Sequence, residues 1–175
     1  TVHGFVEPDS ALRRDGARIG DEVWVSGTLG DAAGALAQWR EEEKRGQSHF
    51  SAEVSHQAEV DVRKHDSDPF SPLRTRLDRP TPRVALGRAL RGIASACIDV
   101  SDGLLADLAH VCNASGVGAR IEADALPASE ALRHAFASDA RRALQATGGD
   151  DYELCFTAPP AMRAAVQVLA TDAVP

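Results

Sequence analysis

Apolar and polar positions follow one another along this chain in short runs, and their spacing predicts many short strands and helices rather than a few long elements. Val23 to Val25 reads as a strand after the Gly20-Asp21 turn, and Gly27 to Gly34 leads into a short Ala-rich helix ending near Trp39. From Arg40 to Asp78 the composition turns to Glu, Lys, His, Ser and Asp, starting with Glu41-Glu42-Glu43-Lys44-Arg45, which predicts a mobile polar loop or insertion. Beyond it, a helix is expected over Arg83 to Gly92 and a strand over Ala96 to Val100. Leu104, Leu105, Leu108, Val111 and Cys112 recur at helical spacing and carry a second helix to about Asn113. Ala119, Ile121 and Ala123 alternate with Arg120, Glu122 and Asp124, the pattern of a strand around Ala119 to Ala123. Ser129 and Ser138 are placed to cap two short helices, the second closed by Gly148. Tyr152, Leu154 and Phe156 share one side of a strand that stops at Pro159-Pro160, and a last helix covers Ala161 to Ala170. Alternation of this kind predicts one domain over residues 1 to 175, with a mixed sheet covered by helices.

Composition narrows the class of protein more than it identifies it. Hydrophobic residues make up 43% and charged residues 26% of 175, the balance of a globular domain able to bury a good core. A formal net charge of −7 argues against a general nucleic-acid or membrane-surface binder, yet admits a nucleotide if Mg²⁺ stands between acids and phosphates. Cys97, Cys112 and Cys155 lie in or beside apolar runs with no Cys-x-x-Cys spacing, which favours buried reduced thiols over zinc ligation or a disulfide frame. With no signal peptide and no apolar run of membrane-spanning length in the sequence, a cytoplasmic setting is expected.

The richest chemistry lies at the junction of the Ala96 to Val100 strand with the helix that follows, in Asp99-Val100-Ser101-Asp102-Gly103. Asp99 and Ser101 share a side if the backbone is extended there, and the first N–H groups of the helix can meet a phosphate oxygen. Two readings fit: Ser101 or Asp102 serves as an N-cap beside an exposed strand-end Asp99, or the group is half of a metal-phosphate site. Density favours the second, because Asp99, Asp102 and Asp107 place three acids within nine positions and a cap needs one. Gly148-Gly149-Asp150-Asp151-Tyr152-Glu153 is the second constellation, a tight turn that displays acids just before a strand and on its own reads as a plain turn. Gly27, Gly30 and Gly34 lack the Gly-x-x-x-x-Gly-Lys-Ser/Thr pattern of a phosphate loop, so a tight turn and close helix packing account for them. His49, His56 and His65, irregularly spaced in a polar stretch, read as incidental.

Three segments, IDVSDGLLADLAH, SGVGARIEADALPAS and GGDDYELCFTAPP, resemble the bacterial thiamine-monophosphate kinase family, and the likeness extends to Thr1 to Val6, Gly16 to Gly27 and Arg79 to Arg83. Residues 40 to about 76 match poorly. That family belongs to the superfamily of aminoimidazole ribonucleotide synthetase and selenophosphate synthetase, with an N-terminal ATP-binding domain and a C-terminal α+β domain. The resemblance implies that this chain is the second of these, an α+β domain whose N-terminal partner is absent. It further implies that Asp99 and Asp102 bind Mg²⁺, that Ser101 contacts ATP, and that Asp150 contacts thiamine monophosphate where the family usually has Glu. The implied reaction moves the ATP γ-phosphoryl group to thiamine monophosphate, giving thiamine diphosphate and ADP, and needs no general base because the attacking phosphate oxygen is already anionic. On the same basis the full-length protein is expected to be a homodimer through its N-terminal domain, with neither nucleic acid nor membrane as a partner. The 175-residue chain alone is expected to be inactive. Another ATP-using member of the superfamily, or a noncatalytic remnant, are the alternatives.

Overall fold

In the computed structural model, which describes residues 5–7, 10–52 and 72–172, the chain runs through β1 (Glu22–Val25), α1 (Asp31–Ala52), α2 (Pro72–Asp78), α3 (Val84–Ala89), β2 (Ala96–Val100), α4 (Leu104–Ser115), α5 (Glu130–Ala135), α6 (Ser138–Thr147), β3 (Glu153–Ala158) and α7 (Arg163–Asp172). Single 3₁₀ turns at Ala123–Ala125 and Pro160–Met162 complete it. The strands form a sheet of order β1-β3-β2, and β3 pairs antiparallel with both neighbours. The α+β class expected from the resemblance therefore holds. The sheet itself is antiparallel throughout the described residues, where the alternation of elements had predicted a mixed one.

Period-two patterning gives each sheet face its own cover. Ala96, Ile98 and Val100 of β2, Val23 and Val25 of β1 and Cys155 of β3 pack on Leu104, Leu108 and Val111 of α4. The opposite positions, Trp24, Cys97, Leu154 and Phe156, meet Leu86 and Leu90 from the α3 region and Val166 and Leu169 of α7. A third cluster, Ala35, Leu73 and Leu132 with Leu77, Phe136 and Leu144, joins α1, α2, α5 and α6. Each of the fully buried leucines, Leu29, Leu90, Leu104 and Leu132, contributes about 1.5–3 kcal/mol through removal from water.

Several boundaries differ from those the sequence predicts. The Ala-rich helix does not end near Trp39 but continues as α1 to Ala52, and Pro72–Asp78 is helical, so the described parts of the predicted polar loop are helix. The cause is composition: Glu, Lys and Arg are good helix formers, and Glu41 and Lys44 pair at 3.1 Å across one turn. Pro72 suits a first helical position, and Arg74 of α2 stacks 5.3 Å over the Trp39 ring of α1. Residues 53–71, with His56 and His65, lie outside the described residues, and of His49 only the helical backbone is described.

Ala119 to Ala123 forms no strand. Val117 and Ile121 pack against the α4 side of the core, but among the described residues no neighbouring strand offers ladder hydrogen bonds, and Arg120 pairs with Glu122 at 3.3 Å in solvent. The predicted Arg83 to Gly92 helix is α3 alone, followed by turns to Gly92. The last helix begins as the Pro160 3₁₀ turn before α7. Ser129 caps α5, its hydroxyl accepting from Leu132 N at 3.0 Å, whereas Ser138 lies inside α6 and Ala137 occupies the cap position without a side-chain bond.

Candidate functional site

The β2–α4 junction and the turn before β3 meet at one end of the sheet because the β2–β3 pairing continues past both strands. Tyr152 N donates to Val100 O at 2.9 Å and Asp150 N donates to Ser101 O at 2.9 Å. Two glycines allow the contact. A side chain on Gly149 would lie 2.5 Å from Ser101 O, and one on Gly103, at φ 106°, would lie 2.7 Å from Thr147 O. The two segments singled out in the sequence thus form one double turn, in which Asp99, Asp102 and Asp150 are exposed and Ser101 is half-buried.

Within the first turn the capping reading fails. Gly103 is the N-cap of α4 and neither Ser101 nor Asp102 bonds the helix end through its side chain. The turn is tied from inside instead: Asp107, 3% exposed, accepts from Ser101 N and Asp102 N at 3.0 Å each through Oδ2. Asp107 had counted among the acids of a possible metal site; its oxygens are committed to the backbone. Asp99 and Asp102 are exposed and, among the described residues, make no hydrogen bond or ion pair with their carboxylates. Asp99 opens on a groove of about 720 Å³ shared with Leu12, Arg13, Arg14, Asp15 and Leu154. Arg13 is paired with Asp15 at 2.5 Å, and Arg14 beside it has no ion-pair partner among the described residues. A larger cleft of about 840 Å³ lies on the other sheet face, between β1, α4 and the 117–122 segment, away from these acids.

The second turn is strained. Asp150 and Tyr152 adopt φ of 66° and 50°, conformations that cost a non-glycine residue of order 1 kcal/mol or more and persist only where surroundings enforce them. Asp150 is exposed and its Oδ1 lies 3.4 Å from the Tyr152 hydroxyl. Its neighbours turn inward. Asp151, 1% exposed, accepts from Gly30 N at 2.7 Å and Ala32 N at 3.4 Å and so holds the start of α1. Burial pushes its carboxyl up to about 6, against the lowering effect of those two N–H groups. Glu153, 0% exposed, is bound by Arg76, Arg83 and Ser26. Burial alone would raise its carboxyl, but hydrogen bonds from Arg83 and Ser26 and the charges of Arg83 and Arg76 outweigh this and hold it below the usual range. Sequence reading missed Asp151 and Glu153 as buried anchors. The signal was there in the alternation of positions 150 to 153, which places 151 and 153 on the side opposite 150 and 152.

Two of the three thiols are held in their neutral form. Burial, then Asp99, pushes Cys97 up to about 11, and burial, with the other two thiols and Asp107, pushes Cys155 up to about 12. All three cysteines are free, as the spacing predicted. Among the described residues no group of three or more His, Cys, Asp or Glu stands close enough to hold a metal by protein ligands alone, and no helix is long and apolar enough to cross a membrane. Two unpartnered carboxylates do fit Mg²⁺ of the kind that takes one or two protein oxygens and fills its shell with phosphate and water.

An antiparallel sheet with helices on both faces and an acidic double turn at one end defines a class shared with known proteins. The family described as AIR synthase related protein, C-terminal domain, matches residues 18–170, and the chain belongs to it. Curated relatives that it matches include thiamine-monophosphate kinases. It is 42% identical over 168 residues to that of Salmonella typhimurium (strain LT2), covering 95% of this chain and 46% of the relative. The crystal structure of thiamine-monophosphate kinase from Stenotrophomonas maltophilia K279a superposes with a TM-score of 0.79 at 47% identity, over 95% of this chain and 48% of that one. A structure of AaThiL complexed with AMPPCP and TMP superposes with a TM-score of 0.67 at 33% identity, over 86% of this chain and 43% of that one. The chain spans about half the length of the curated relatives it matches. The family resemblance read from the sequence is therefore borne out.

Proposed function

We propose that this chain is the C-terminal part of an ATP-dependent thiamine-monophosphate kinase, and that its double turn forms one wall of the site where the γ-phosphoryl group passes to thiamine monophosphate. The observation that carries this is the direct bond between the two motif segments, Asp150 N to Ser101 O, which puts a substrate-type acid beside a phosphate-type turn. Relatives named for this activity, and a neighbour holding an ATP analogue together with TMP, support the same reading.

In this reading Asp99 and Asp102 would hold Mg²⁺, which when bound neutralises charge between the phosphates of the two anionic substrates. Arg14, in the groove beside Asp99, adds positive charge where phosphate oxygens would lie. Ser101 offers a hydroxyl and the adjacent backbone to ATP. Asp150 faces solvent with its charge available to the cationic thiazolium or the aminopyrimidine of the substrate. The attacking atom is a phosphate oxygen that is anionic near neutral pH, so alignment and charge neutralisation account for catalysis without a proton-accepting side chain. The rest of the nucleotide pocket and the dimer contact would come from the other half of the protein, and the isolated chain would turn over little or no substrate.

The test is phosphoryl transfer from Mg·ATP to thiamine monophosphate, measured for the full-length protein and for this 175-residue chain side by side. Thiamine diphosphate formed by the full-length protein and not by the chain is the expected result. A well-folded full-length protein that makes none overturns the kinase reading, and turnover by the chain alone overturns the requirement for the other half.

A further inference from the structure

We propose that Glu153, with Arg76, Arg83 and Ser26, is a positioning clamp that sets the presentation of Asp150 to the phosphate-accepting substrate, an inference that rests on the kinase reading above. Three separate stretches of chain converge on this one carboxylate. Arg83, the residue before α3, binds it with a two-point fork, Nε to Oε2 at 2.7 Å and Nη2 to Oε1 at 2.6 Å. Arg76 of α2 adds Nη2 to Oε1 at 2.5 Å, and the hydroxyl of Ser26, just past β1, donates to Oε2 while accepting from Leu154 N at 2.8 Å. The carboxylate fills its pocket: a side chain on Gly27 would lie 2.6 Å from Oε1.

A role in stability alone does not account for this arrangement. Buried ion pairs are generally no better for stability than apolar residues of the same volume, because removing charges from water offsets the attraction. They do fix geometry, and here the fixed point is the first residue of β3, immediately after a turn with two non-glycine residues at positive φ. Asp151 is held on the other side of Tyr152 by Gly30 N and Ala32 N. Pinned at 151 and 153, the chain has little freedom at 150 and 152, and the left-handed turn that points Asp150 outward follows. An observed backbone outlier enforced by surrounding anchors is the usual mark of a functional constraint. Arg76 and Arg83 thus act on substrate through Asp150 and touch none of it themselves.

The clamp is tested in the full-length protein by steady-state kinetics with thiamine monophosphate and ATP varied separately. Arg83→Lys keeps the charge and loses the fork. It is expected to raise KM for thiamine monophosphate about threefold or more while KM for ATP stays within twofold. Glu153→Gln is expected to raise the same KM about tenfold. Because that variant leaves two half-buried guanidiniums facing a neutral amide and can fail to fold, Arg83→Lys decides the matter by itself. In an Asp150→Ala background Arg83→Lys is expected to have no further effect on KM for thiamine monophosphate, the signature of action through Asp150. Equal changes in both KM values, a lowered unfolding temperature with unchanged kinetics, or an undiminished effect in the Asp150→Ala background would each overturn the clamp. Inactivity of the unaltered full-length protein would instead remove the kinase reading on which the clamp rests.

Discussion

Six acids occupy the double turn and its flanks, and the fold divides them into two sets of three. Asp107, Asp151 and Glu153 are 3%, 1% and 0% exposed, and each is held by backbone N–H groups or by guanidinium and hydroxyl donors. Asp99, Asp102 and Asp150 are exposed, and a 3.4 Å contact from the Tyr152 hydroxyl to Asp150 is the one hydrogen bond to their carboxylates among the described residues. Each motif segment holds acids of both sets, with Asp150 and Asp151 adjacent, so position in a motif does not distinguish them. What distinguishes them is who satisfies the carboxylate. The inward set is satisfied by the protein and shapes the turns; the outward set is exposed and, in the proposed function, is the set that meets the ligands. The comparison makes separate demands on the two sets: loss of an outward acid should cost activity without stability, and loss of an inward charge should alter folding energetics.

The largest effect is expected at Asp99. In the full-length protein Asp99→Asn should lower turnover about 100-fold or more, the scale of several kcal/mol of lost charge stabilisation at a metal site. Its thermal unfolding midpoint should stay within about 2 °C, as for an exposed side chain that bonds nothing. Unchanged turnover would return Asp99 to the inert surface, and a parallel loss of stability would move it into the inward set.

Asp151 gives the next largest effect, on stability. Its folded-state carboxyl, at about 6, lies above the ordinary value of 3.8, so between these two values the folded protein holds a proton that the unfolded chain has released. The contribution of this group to stability is therefore greatest below about pH 3.8 and is lost as pH rises toward 6. Asn mimics the neutral acid and does not titrate. The unfolding free energy of the unaltered protein, relative to Asp151→Asn, should fall by up to about 3 kcal/mol between pH 4 and pH 6 and be level above that. Paired chemical denaturation across this range measures it. A pH-independent difference would mean that Asp151 is ionised throughout, and that the two α1 N–H groups outweigh its burial.

These two cases show how far the sequence could be read. The strand over Ala96 to Val100, the apolar stripe of α4 and the turn between them follow from local periodicity, which is why both outward acids of the first turn were legible. Asp107 was misread because an acid one turn into a helix looks the same in sequence whether it faces a ligand or folds back onto two backbone N–H groups. The clamp was invisible for a different reason: Ser26, Arg76, Arg83 and Glu153 are spread over 128 positions and meet only through the sheet and α2. Conversely, the alternation at Ala119 to Ala123 is a real local pattern that no neighbouring strand takes up, since a strand needs a partner that periodicity does not supply.

The smallest expected effect is the one that best separates reach from conformation within the outward set. Asp150 stands where the kinase family usually has Glu, one methylene longer, and it sits at φ 66°. Short polar side chains tolerate that region better than longer ones do, because they can bond locally to the backbone. Asp150→Glu therefore sets two effects against each other: greater reach toward substrate, and a conformational cost of a few tenths of a kcal/mol up to about 1 kcal/mol. With Gly149 against Ser101 and the anchors at 151 and 153 holding the turn, the cost should be absorbed as a fall of a few degrees in unfolding temperature. KM for thiamine monophosphate should then be unchanged or lowered by a few fold in the full-length protein. A KM raised tenfold or more, with stability unchanged, would show that the pocket has been built around the shorter acid and that the turn's geometry, rather than the family's usual residue, sets the contact.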